Sequence, residues 1–348
     1  MPETAEAVTA TTATELVGRH FRVRDHYDVG REKIREFARA VRCDHPAHHH
    51  EANAATLGYD ALLASPTFAS VIGAATTRAL IGTVLTEYDV SQILQTDQIF
   101  EYYRPVLAGD RLSVDVVVEN IRSYGDNDFI TIKVTLADVE RLPVLVSTTT
   151  IVARKGVEID PDTVQTVAGV VMHGHVADGL SEAPSDLILL APDEVADFPA
   201  PAAPLPVHTV PTVATVAPGA ELPAAKVPVT RGDLVNYAGV SGDPNPIHFS
   251  DTAANLVGLP TVVAHGMLTM GLTAAYLTSW LGDPSALTKF SVRMSGFVPV
   301  EPTAPTIVEF TSKVKSVNPE TGAATVVLGA TSDGKKLFGR AVAEVRLS

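Results

Sequence analysis

A single cysteine, Cys43, stands among 348 residues, so no internal disulfide can staple this chain, and the usage suits a reducing compartment such as the cytoplasm. Basic residues are scarce too: 26 Lys and Arg face 40 Asp and Glu, a formal charge of -14. A surface of that sign repels polyanions, which excludes nucleic acid as the main partner. Apolar runs are short and interrupted, and no basic segment leads into one at the start. Neither a membrane span nor a secretory leader is expected. There is no phosphate-cradling Gly-rich loop, dinucleotide fingerprint or Gly-x-Ser-x-Gly elbow, and no cofactor is expected.

What is present is enough for a large core, with 46% hydrophobic residues, and a length that favours two folded units. Residues 156–208 separate them. This stretch holds nine acidic residues, seven prolines and no Lys or Arg, a composition that favours extended chain over helix or strand. It reads as an interdomain linker whose apolar centre, residues 186–190, docks on a neighbouring surface. Residues 1–14, rich in Thr and Ala, read as a disordered tail. That leaves 15–155 and 209–348 as the folded units.

The two units repeat at an ungapped offset of 200 residues. Val29 matches Val229, Arg31 Arg231, Ala38 Ala238, Pro46 Pro246, His48 His248, Ala54 Ala254, Gly58 Gly258, and Ala74 and Ala75 match Ala274 and Ala275. Each copy reads as a short helix, a polar loop, a long helix and then several strands. In the second copy residues 231–240 are helical, and 266–281 form a helix apolar or small on every face, closed by Gly282. Strands are expected at 290–300, 306–315, 323–330 and 336–347. In the first copy Ser65 and Pro66 open a helix running to about residue 85, with strands near 98–103, 111–122, 129–140 and 144–154. Phe100, Tyr102, Tyr103 and Phe129 belong to the core of that sheet. A long buried helix wrapped by an antiparallel sheet, twice over, is an α+β double hot-dog arrangement paired as an internal pseudo-dimer, to which further oligomerisation could be added.

The polar chemistry concentrates in Tyr237-Ala-Gly-Val-Ser-Gly-Asp-Pro-Asn-Pro-Ile-His248, followed by His265 and Gly266. Pro244 and Pro246 fix φ on both sides of Asn245, so Asp243, Asn245 and His248 lose little further freedom when aimed at one point. Interconversion of an enoyl and a hydroxyacyl thioester needs a base at C2, an acid at the C3 oxygen and a donor for the thioester oxygen. Asp243, His248 and the Gly266 N–H, at a helix start without a Cβ, are suited to those roles. The alternative uses are structural: an Asx-turn for Asp243 and tight packing for Gly266. Consecutive histidines at 48–50, with His45, do not make a tetrahedral metal set, and no metal is expected.

This segment resembles the signature of the MaoC-like or R-specific enoyl hydratase family through Tyr237, Ser241, Gly242, Asp243, Asn245, Pro246, Ile247, His248 and Ala254, and again through residues 264–267. The resemblance spans 227–348. Residues 17–154 resemble the partner subunit of the two-subunit mycobacterial-type (3R)-hydroxyacyl-acyl-carrier-protein dehydratases, so the chain is similar to the two subunits fused. The resemblance implies an acyl thioester on acyl carrier protein or coenzyme A as substrate, a hydro-lyase of type-II, long-chain or mycolic-acid synthesis, and catalysis by Asp243, His248, Asn245 and Gly266. His265, Tyr237, Ala74 and Ala75 would contact substrate, the last two as channel wall in a first half devoted to the acyl chain.

The repeat register independently marks that first half as degenerate. Cys43 stands at the place of Asp243, His45 at that of Asn245, and Ser65-Pro66 at that of His265-Gly266, where a proline has no N–H to offer. Rival readings are an R-specific hydratase of fatty-acid breakdown, a noncatalytic thioester-binding protein and a thioesterase; a nucleophilic Cys43/His48 pair would need an accessible, electropositive setting.

Overall fold

In the computed structural model, which describes residues 13–88, 93–154, 161–170, 187–195, 197–201 and 203–348, β-strands outnumber helices and one antiparallel sheet runs through both halves. The first half contributes β1 (His20–Val23), β2 (Tyr27–Asp28), α1 (Arg31–Ala40), α2 (Glu51–Ala55), α3 (Ala69–Thr83), β3 (Ile93–Tyr102), β4 (Arg111–Tyr124), β5 (Asn127–Ala137) and β6 (Pro143–Arg154). After α4 (Pro161–Ala168) and β7 (Leu187–Leu189), the second half follows with β8 (Ala225–Val229), α5 (Arg231–Ser241), α6 (Asp251–Leu256), α7 (Gly266–Leu281), β9 (Leu287–Met294), β10 (Thr306–Val317), β11 (Ala323–Ser332), β12 (Lys335–Lys336) and β13 (Phe338–Arg346). The strand order is β7-β1-β4-β5-β6-β3-β9-β13-β11-β10-β8, with β2 on β4 and β12 on β11. This is the double hot-dog fold.

Antiparallel pairing of β3 with β9 joins the two half-sheets. Phe100 and Phe290, both wholly buried, lie directly opposite each other. Ion pairs of 2.8 Å flank them, Lys289 with Glu101 and Arg293 with Asp97, each on a cross-strand register pair. The seam thus has an apolar centre and charged borders, and neither half keeps that sheet edge open to another chain.

α7 is buried along most of its length. Its apolar faces require enclosure, and its Thr hydroxyls survive burial because each bonds back to a carbonyl one turn earlier: Thr269 to His265, Thr273 to Thr269 and Thr278 to Ala274. Gly282, at φ 71°, closes the helix and returns its N–H to Thr278 O. α1 and α5 pack against each other across the pseudo-twofold, with the Phe37 and Tyr237 rings 6.1 Å apart. Arg42 reaches Asp233 at 2.9 Å, and Lys33 donates to Val240 O at 2.6 Å. Arg42 stands where the repeat places Gly242, and both adopt positive φ, 52° and 72°. A side chain in that conformation is strained, and here the ion pair to the other half offsets the strain.

Two expectations need correction, and one strand carries no clear signal in the sequence. The helix expected to open at Ser65-Pro66 opens at Ala69, because residues 66–68 form a preceding turn and Ser65 Oγ caps nothing. The strand expected over 290–300 ends at Met294, where Ser295 and Gly296 both turn their N–H groups to Leu337 O. β8 was hidden by Pro228, which the sheet accepts because β8 is an edge strand.

The connection is also more structured than its composition implies. α4 lies beside α6, and Leu187–Leu189 pairs with β1 as an added edge strand, with Leu187 buried. The next segment runs along the body, Phe198 under the Arg141 guanidinium at 4.8 Å and Leu205 O accepting from Arg346 at 3.1 Å. Of the tail, residues 1–12 lie outside the described residues, while Ala13 and Leu16 are buried in a short 3-10 turn. No helix among the described residues is long and apolar enough to cross a membrane.

Candidate active site

α5, the loop after it and the start of α7 converge on one point. Gly242 ends α5, and a 3-10 turn, Pro246–His248, follows with Asn245 as its N-cap, its side chain accepting from Ile247 N at 3.3 Å. Asp243 Oδ1 accepts from Asn245 N at 3.2 Å. One carboxylate oxygen therefore closes an Asx-turn and the other is left to face His248 Nε2 at 4.0 Å. The structural and chemical uses of Asp243 coexist, one on each oxygen. Asn245 is a capping residue, its orienting effect exerted through the loop.

His248 is buried, and its Nδ1 lies 2.7 Å from Val263 O. A carbonyl can only accept, so Nδ1 carries the hydrogen and Nε2 presents a lone pair to Asp243. Burial pushes its pKa down, opposed by the Asp243 carboxylate and the Val263 bond. It is thus held as the neutral imidazole.

His265 stacks on His248, ring centroids 3.7 Å apart, with Tyr237 at 4.9 Å on another side. Among the described residues both His265 ring nitrogens are buried without a hydrogen-bond partner, while the buried Tyr237 hydroxyl has the Ser70 side chain beside it. Burial holds the imidazole well below its usual range, with His248 adding to the effect, and pushes the phenol up. Unpaired buried polar atoms are costly, and these sit beside the acid/base pair, where a ligand would satisfy them. Asp243, His248 and His265 bring potential ligand atoms within 4.8 Å of one another. The two rings, however, are only 26° from parallel. A metal binds in an imidazole plane at about 2 Å from nitrogen, and stacked planes share no point so close, so the set does not fit an ion.

Gly266 is the first residue of α7, whose N-terminus has no side-chain cap. Among the described residues its N–H has no partner, as a donor for an incoming oxygen requires. It also packs closely: a Cβ there would run into Met294 Sδ.

The first half shows the same scaffold with its chemistry closed off. His48 Nδ1 donates to Leu63 O at 2.8 Å, as His248 does to Val263, but its Nε2 accepts from the Cys43 thiol at 3.2 Å. Burial pushes Cys43 up to about 12 and His48 down to about 4. Cys43 is accordingly an inert thiol, not a nucleophile. His45 bonds Gly282 O and Ala47 N, and His49 bonds Cys43 O; these nitrogens are committed separately rather than to one centre.

A cavity of about 490 Å³ lies against this degenerate site. Pro66, Ala69, Leu145, Leu205 and Leu287 are among its lining residues. Tyr102 and Tyr103, expected in the sheet core, line it as well, whereas Phe100 is core. Ala74 and Ala75 do not line it: Ala74 is half-buried and Ala75 exposed on α3. Arg78, from α3 of the first half, escaped the sequence reading although the Asp243 carboxylate acts electrostatically on it. The register would have found it, since Thr278 at the matching position approaches Cys43 at 3.9 Å.

Comparison with known proteins matches the two halves to two different family models. Residues 15–146 match the family model described as "FAS1-like, dehydratase domain region", and residues 213–331 the one described as "MaoC like domain". A solved protein described as a MaoC-like dehydratase is 39% identical and superposes with a TM-score of 0.85 over 96% of this chain and 99% of its own. A UPF0336 protein of Mycobacterium tuberculosis is 35% identical over 158 residues, 45% of this chain and 95% of the relative. Another M. tuberculosis protein, described as having a double hotdog fold, shares that fold at 14% identity, with a TM-score of 0.58 over 95% of this chain and 96% of its own.

Proposed function

This chain belongs to the MaoC-like dehydratase family, and on that premise we propose that it interconverts (3R)-3-hydroxyacyl and trans-2-enoyl thioesters at a single site in its second half. One observation carries the reading: the His248 Nε2 lone pair is open opposite a free Asp243 oxygen at 4.0 Å, while its counterpart on His48 is plugged by Cys43.

In dehydration, His248 Nε2 takes the C2 proton and the released electron pair forms the C2=C3 bond. The C3–O bond breaks, and the hydroxyl, held by the free Asp243 oxygen, leaves as water with the proton that His248 has taken from C2. His248 thus returns to the neutral imidazole and Asp243 stays a carboxylate, so the net loss is one water. Hydration runs the same steps backwards. Negative charge on the thioester oxygen is met by the Gly266 N–H, a donor of a kind worth ~3 kcal/mol in the transition state. His265 presents its unpaired ring nitrogens, and Tyr237 its hydroxyl, to the bound thioester.

The domains are those read from the sequence: a tail to 14, a degenerate unit over 15–155 that holds the acyl chain, a connection over 156–208 and a catalytic unit over 209–348. The substrate is a long acyl chain on acyl carrier protein or coenzyme A, and the setting is cytoplasmic fatty-acid synthesis of type II, as the resemblance to a fused two-subunit dehydratase suggests. The test offers crotonyl and longer trans-2-enoyl thioesters on both carriers and follows loss of enoyl absorbance beside release of free thiol. Loss of absorbance without thiol is expected; thiol release without hydration would make the protein a thioesterase.

A further inference from the structure

Arg78 is half-buried on α3 and, among the described residues, makes no hydrogen bond or ion pair. Its isolation is unusual at this interface, where Arg42 and Arg293 each hold a carboxylate of the other half. A guanidinium has five N–H donors, and a half-buried one is favoured by a nearby carboxylate. Burial pulls its pKa down and the Asp243 carboxylate opposes this. The register gives the same neighbour independently: Thr278 approaches Cys43 at 3.9 Å, and subtracting 200 from one and adding it to the other yields Arg78 and Asp243.

Asp243 needs such a neighbour. Its side chain is 39% exposed, and the 3.2 Å bond from Asn245 N secures one oxygen only. Among the described residues no direct ion pair joins Arg78 to it, and the two interact through space. We propose that Arg78 is a positioning residue for the acid/base pair, a cation lent by the otherwise silent first half to hold the free Asp243 oxygen, and the water bound to it, toward His248. The site is then incomplete without the first half, which gives that half a role in the chemistry besides any role in holding the acyl chain.

This inference rests on the hydratase reading, and its test uses the full chain with crotonyl-coenzyme A. Arg78→Gln should lower kcat about 10- to 100-fold, the scale of a misplaced reacting group, with KM within about twofold. Arg78→Lys should retain most of the activity. Millimolar guanidinium ion should restore part of the Arg78→Gln loss and none of the loss in Asp243→Asn, a rescue that a merely structural arginine would not give. An active parent with Arg78→Gln within twofold of it, or a loss that neither Lys nor guanidinium recovers, overturns the inference alone. An inactive parent overturns the hydratase reading and this inference with it.

Discussion

At the scale of single residues, the pair His48 and His248 separates scaffold from chemistry. Both donate Nδ1–H to a carbonyl 15 residues on, so both help to fix the loop before the long helix, and only the company at Nε2 differs. Stability should record the shared role. A buried imidazole with a folded pKa near 4 against about 6.5 unfolded binds fewer protons folded than unfolded between those values. Its contribution is therefore fully present above pH 6.5 and lost as pH falls toward 4, about 3 kcal/mol for His48, with His248 and His265 acting in the same direction. Thermal unfolding between pH 7.5 and 4.5 should show Tm falling throughout, and the fall should be smaller in His48→Gln; a flat profile would contradict the buried neutral state. Turnover has its own limb. Since burial outweighs Asp243 at His248, kcat/KM should decline on the acid side with a midpoint below 6.5, and a midpoint above it would place that histidine in a charged, paired state.

At the scale of elements, the start of α7 carries two explanations that one experiment separates. Gly266→Ala brings a Cβ against Met294 Sδ and displaces the N–H by the shift needed to relieve it. If close packing is what the glycine serves, Gly266→Ala with Met294→Ala should return near-parent kcat, because room is restored and an alanine also has an N–H. Persistent loss in the double variant would show that the approach of substrate itself forbids a Cβ. The acyl chain can be followed in the same way from α3. Ala69 lines the first-half cavity and is buried, so Ala69→Phe should lower kcat/KM for long-chain thioesters well beyond its effect on crotonyl thioester, whereas Ala75→Phe, on the exposed face, should do neither; equal losses at both lengths would remove the cavity from the substrate path. Much of this architecture was legible in the sequence because it is written in local pattern: α7 was bounded by Gly266 and Gly282, and the Pro-rich loop was self-contained. What was missed depended on partners distant in sequence. β8 shows as a strand only beside β10, α3 starts where the turn over 66–68 ends, and α3 gives no sign that Arg78 lies in the field of Asp243 unless the two copies are laid over each other.

At the scale of the molecule, duplication closes the sheet and supplies the interface. Phe100 and Phe290 meet at the seam, and separating the halves would expose a strand edge with a large apolar side chain on it. The isolated 209–348 fragment should accordingly self-associate through β9 or precipitate, which sedimentation would reveal; a well-behaved, fully active monomer would contradict the interface described. One working site and one inert copy of it is the central claim, and turnover of crotonyl-coenzyme A by Asp243→Asn set beside Cys43→Ala tests it most directly. The account predicts a loss of at least roughly 100-fold in the first, the low end of acid/base contributions, and a rate within a few-fold of the parent in the second, while near-parent turnover by Asp243→Asn, or a comparable loss in Cys43→Ala, would contradict it.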